Sequence, residues 1–108
     1  MSDVITNVDR MKAVYNKFDP QLDTIEKLAA EKLQMERDFE VANMQMLFML
    51  REQKVPTSII NAVCKGKMAD QKFQLEVKTA EYQAAIRKLK VLETKATLLQ
   101  SINRWQGD

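Results

Sequence analysis

The residue types able to do chemistry concentrate in KVPTSIINAVCKGK, residues 54–67, which hold the only cysteine, one of two prolines and one of two glycines. Cys64 beside Lys65 and Lys67 has part of what an activated thiolate needs, because neighbouring ammonium groups lower a thiol's pKa. Such a nucleophile also needs a base to carry its proton, and the 108 residues contain no histidine. That excludes Cys–His and Ser–His relays and imidazole zinc sites. Cys64 follows Ile59, Ile60, Ala62 and Val63, so a buried structural thiol is expected. Lys65–Gly66–Lys67 is not a P-loop, since that motif requires a second glycine upstream and Ser or Thr after the lysine, where this chain has Met68. No catalysis, small-molecule substrate, metal or cofactor is expected.

The remaining chemical signal is cationic. Net charge is +2, divided as −2 over residues 1–54 and +4 over residues 55–108. Between Arg87 and Arg104 the only acid is Glu93, while Arg87, Lys90 and Arg104 lie on one polar stripe flanked by Lys88 and Lys95. Lys65, Lys67 and Lys72 extend it toward the start of the same segment. Cations spaced in this way suit phosphates without reading base sequence. A solvated helix face is the plainer explanation of the same pattern.

The elements that must position these residues are helical. Two glycines, two prolines and a composition rich in Ala, Leu, Lys, Glu, Gln and Met predict an all-α fold in one domain. Val4, Val8, Met11, Tyr15 and Phe18 define a short amphipathic helix over 4–18, capped by Ser2 or Asp3 and ended at Asp19–Pro20. A long helix is predicted over 21–54, with Ile25, Leu28, Met35, Phe39, Ala42, Met46 and Met49 as its seam, interrupted by Lys32. Val55–Pro56 breaks it. A two-turn elbow helix over 57–65 follows, capped by Thr57 or Ser58 and stopped by Gly66 in a left-handed conformation. A second long helix over 69–105 carries two seams. One reads Leu75, Lys78, Tyr82, Ala85, Leu89, Leu92, Ala96, Leu99; the other, at sevenfold spacing, reads Val77, Ala84, Val91, Leu98, Trp105. The result is an antiparallel long helical hairpin with coiled-coil-like packing.

A hairpin of this size leaves apolar surface over. Met44, Met46, Phe48 and Met49 in the MQMLFML stretch, with Val91, Leu98, Ile102 and Trp105, are the candidate interface of a homo-oligomer or of a protein partner. A single cysteine, no 18-residue apolar run and no signal-peptide layout in MSDVITNVDR point to the cytoplasm and away from membranes.

The third segment is familiar in outline. The G-K turn, the helix AEYQAAIRKLKVLE and the closing LLQSINRW resemble the UvsY-like recombination mediator family of bacteriophages, over roughly residues 59–105. The chain is shorter than those proteins usually are and has Ala62, Val63 and Cys64 where they often carry aromatics. The resemblance implies an oligomeric helical protein that binds single-stranded DNA and cooperates with a recombinase and a single-strand-binding protein. It makes Lys65, Lys67, Arg87, Lys88, Lys90 and Arg104 candidate DNA contacts. The alternative of a different class is a helical adaptor or chaperone that holds a protein through the methionine- and tryptophan-bearing surfaces.

Overall fold

The structure, a computed structural model, describes residues 2–107, with side chains described from Thr6 to Trp105. Ser2, Asp3 and Val4, the expected caps and first apolar position, therefore lie outside the described side chains. Four helices follow one another: α1 (Ser2–Tyr15), α2 (Phe18–Glu52), α3 (Ile60–Lys67) and α4 (Ala69–Gly107). Among the described residues there is no strand, and no helix is long and apolar enough to cross a membrane. The chain is an all-α helical hairpin. It divides into two compact units, residues 28–81 on one hand and residues 1–27 with 82–108 on the other.

The unit of residues 28–81 contains the reversal. α2 ends in a Schellman turn: Val55 N donates to Leu50 O (3.1 Å) and Lys54 N to Arg51 O (3.0 Å). The left-handed residue of this turn is Lys54, at φ 60°. Pro56 then fixes the exit, and its carbonyl accepts from both Ile59 N and Ile60 N at 3.0 Å. Those bonds stand in for the expected Thr57 or Ser58 cap, since the cap position is Ile59 and no side chain bonds there. Gly66 is not the stop either. It has no positive φ and lies inside α3, which passes into α4 through Met68 alone. Met68 N donates to Cys64 O (2.9 Å) and Lys72 N to Met68 O (3.0 Å), so backbone bonding carries across the joint. The elbow is thus the loop of residues 53–59, and the core closes over it. Leu50, Ile60, Cys64 and Met68 are buried, with Phe39, Ala42, Met46, Leu47, Val55 and Val63 against them.

In the other unit the break between α1 and α2 falls at Asn16–Lys17, ahead of Pro20 rather than at it. Proline has no N–H for the carbonyl four residues back, and its ring crowds that turn. The interruption is therefore displaced one turn upstream, while Pro20 itself is tolerated in the first turn of α2. Contacts with α4 run antiparallel: Gln21 Nε2 donates to Ala85 O (2.8 Å), Gln100 Nε2 to the Tyr15 hydroxyl, and the Asn103 amide faces Met11 Sδ. Val14, Leu92 and Ala96 form the buried cluster, flanked by Phe18 and Leu99.

On α4 the first predicted seam, Leu75 through Leu99, is buried or half-buried at every position. The sevenfold second seam faces outward: Val77 is 38% exposed, Val91 51%, Leu98 60% and Trp105 85%.

Candidate nucleic-acid interface

The thiol in the middle of α3 is a packing group. Cys64 is buried, and its Sγ lies 3.4 Å from Asn43 Oδ1 and 3.8 Å from Asn43 O on α2. A thiol held against carbonyl oxygens, away from solvent and with no neighbouring base, offers nothing to an electrophile. Among the described residues no group of acids and Cys64 could hold a metal ion.

The lysines divide into two kinds. Lys32 and Lys78, the two that interrupt the apolar seams, are matched to acids. Lys32 Nζ meets Glu36 Oε1 at 2.6 Å, and Lys78 Nζ meets Glu31 Oε2 at 2.8 Å and Glu81 Oε2 at 3.3 Å. The hydrogen bond to Glu31, then the one to Glu81, raises the Lys78 pKa above its ordinary value. The eight cations singled out in the sequence behave differently. Lys65, Lys67, Lys72, Arg87, Lys88, Lys90, Lys95 and Arg104 are all exposed. Among the described residues, none of the eight is in an ion pair.

They are distributed over both units. In the unit of residues 28–81, Lys65 and Lys72 border a pocket of about 270 Å³ with Asn43 and Asn61, while Lys67 is exposed on the last turn of α3. In the other unit, Arg87, Lys88, Lys90, Lys95 and Arg104 are carried by α4. Lys88 lines a shallow depression of about 380 Å³ with Asn16, Lys17 and Thr24, beside the α1–α2 break. Lys95 and Arg10 edge an apolar groove between α1 and α4, floored by Ala13, Val14, Leu98 and Leu99. Lys17 and Arg10 thus add charge to the α4 face. Sequence reading missed both because they belong to α1 and its exit, whose docking register no local pattern reveals.

The apolar candidates divide as well. Met44 is 71% exposed, Phe48 62% and Met49 40%, and with Val91, Leu98 and Trp105 they remain uncovered. Ile102 is half-buried. Met46 does not belong with them: it lies one turn before buried Leu50 and packs against the Leu50–Cys64 cluster, whereas Met49, expected on the same seam, is turned outward. No protein-family model matches this chain, and comparisons with curated proteins and with solved structures return no match.

Proposed function

We propose that this chain is a non-enzymatic, oligomeric accessory protein that binds single-stranded DNA and assists recombination or replication alongside a recombinase or a single-strand-binding protein. The observation that carries the reading is the contrast among the lysines. Cations at the seams are neutralised by carboxylates, whereas the outward ones, the eight candidates among them, keep their charge available to an external polyanion. The likeness of residues 59–105 to UvsY-like mediators agrees with it. Contacts of this kind go to phosphates, so affinity must fall with salt, with a slope of about −0.7 per phosphate neutralised on a single strand.

A titration of labelled oligonucleotide at low and moderate salt tests the reading. Binding should weaken steeply with salt, and Arg87→Gln with Lys90→Gln should flatten the log–log slope by about 1.4 for two lost contacts. No binding at low salt, or binding indifferent to salt, would overturn it.

Uncovered Met44, Phe48, Leu98 and Trp105 favour the second reading, a helical adaptor that holds a protein partner. It replaces the first if Phe48→Glu with Leu98→Glu abolishes partner capture while Arg87→Gln with Lys90→Gln leaves it intact. The same apolar surfaces are where copies of the chain would associate, which a fall in solution molar mass in the glutamate variant would register.

A further inference from the structure

The pocket beside the elbow has a composition of its own. On α2, Phe39, Asn43 and Leu47 recur every four residues and so form one stripe. Facing it, Asn61, Lys65, Met68 and Lys72 recur at steps of four, three and four through α3 and into α4. The cavity between the stripes is about 270 Å³. Its apolar surface is Phe39, Leu47 and the buried Met68; its polar groups are two carboxamides and two exposed ammonium groups. The Cys64 thiol donates to Asn43 Oδ1 (3.4 Å), which uses one of that oxygen's two lone pairs and fixes the orientation of the carboxamide.

The geometry points to a nucleotide pocket: one unstacked base of a single strand enters against Phe39, Leu47 and Met68, and the phosphate next to it is held by Lys65 and Lys72. This rests on the reading of the chain as a single-strand binder and gives it a place where a base, as well as the backbone, is engaged. The volume is below that of ordinary small-molecule pockets, about 300–1,000 Å³, and suits one heterocycle. Each carboxamide offers both donors and an acceptor, so Asn43 and Asn61 can meet the edge of any base. The site is therefore tolerant of sequence while discriminating a base-bearing strand from an abasic one. Basic side chains for the backbone with an apolar or aromatic platform for bases is the general chemistry of single-strand binding.

The test follows backbone amide shifts of the full chain during titration with deoxynucleoside 5′-monophosphate, deoxyribose 5-phosphate and inorganic phosphate. The nucleotide should shift Asn61, Lys65 and Lys72 saturably and bind at least about five-fold more tightly than deoxyribose 5-phosphate, the lower end of what one stacked base contributes. Lys65→Gln with Lys72→Gln should weaken nucleotide and sugar phosphate together. Asn61→Leu, at an exposed position that spares the core, should weaken the nucleotide alone. Equal affinity for inorganic phosphate and nucleotide, or for a phosphoserine peptide and nucleotide, would overturn the proposal. If oligonucleotides bind with the expected salt dependence, yet nucleotides shift none of these amides, the pocket fails while the single-strand reading stands. If the nucleotide binds here but no oligonucleotide binds at low salt, the pocket stands and that reading fails.

Discussion

The two units reach a folded state by different means. Residues 28–81 bury Leu50, Ile60, Cys64 and Met68, and six partly buried apolar side chains pack on them. Three backbone segments meet there, because the chain turns back on itself within a few residues. Among the described residues the other unit buries Val14, Ala85, Leu92 and Ala96, with Phe18 and Leu99 packed on the Val14, Leu92 and Ala96 cluster, and adds Gln21 and Asn7 to its interior. Asn103 Oδ1 is buried there with no hydrogen-bond partner among the described residues. Close packing dominates one unit, while polar contacts and small residues align the other. Polar groups at seam positions specify register at a cost in stability, whereas a closed apolar cluster supplies stability directly. Both units also carry uncovered apolar side chains, Met44, Phe48 and Met49 in the first and Val91, Leu98 and Trp105 in the second.

The largest effect should come from the cluster at the elbow. Leu50 is 1% exposed, and Leu50→Ala should lower unfolding free energy toward the upper part of the about 2–5 kcal/mol range for buried leucines, read by urea denaturation. Leu92→Ala in the sparser unit should cost close to about 2 kcal/mol, and equal losses at the two sites would break the contrast. Next comes the turn. Lys54→Gly should stabilise by about 1 kcal/mol, because it relieves a left-handed residue that carries a Cβ. Gly66→Ala should also stabilise, by roughly 0.5–1 kcal/mol, since nothing lies within 4 Å of the added methyl inside a helix. Had Gly66 been the helix stop, that substitution would instead destabilise.

Gln21→Leu should cost about 1 kcal/mol, the usual net value of one hydrogen bond, by removing the bond to Ala85 O while keeping bulk in place. A larger loss would mean that polar alignment contributes more to that unit than its apolar cluster does. The smallest effect is electrostatic. Lys78 has a raised pKa in the fold, so its contribution is complete below the unfolded lysine value of about 10.4 and is lost as pH rises through the higher folded value. The difference in melting temperature between the parent chain and Lys78→Gln should accordingly be constant near neutrality and shrink in strong alkali.

Periodicity made most of the helical architecture legible. The steps of three and four from Leu75 to Leu99 mark the covered face of α4, including Lys78, whose charge finds acids there. Periodicity alone does not separate that seam from Val77–Trp105, because both are apolar and sevenfold; docking against a neighbouring helix selects one. Proline and glycine misled for a related reason. Pro20 and Gly66 look like stops in the sequence, yet the first enters a helix and the second continues one, since a breaker acts through the bonds its neighbours can still make. The cations of α4 were visible as a composition. Their companions Arg10 and Lys17, and the meeting of Phe39 and Asn43 with Asn61 and Lys72, depend on the register of the hairpin and leave no local trace.

The buried thiol has a practical consequence. The chain has one cysteine and one tryptophan, and they fall in different units: Cys64 at 3% exposure and Trp105 at 85%. Each unit therefore contains a native spectroscopic or chemical probe that needs no engineering. Thiol-trapping reagents can reach Cys64 only when the elbow cluster opens, so the trapping rate clocks that excursion. Indole emission, already in water, changes only when something comes to cover the α4 face. Two measurements on the unaltered polypeptide thus separate internal breathing of one unit from occupancy of the other.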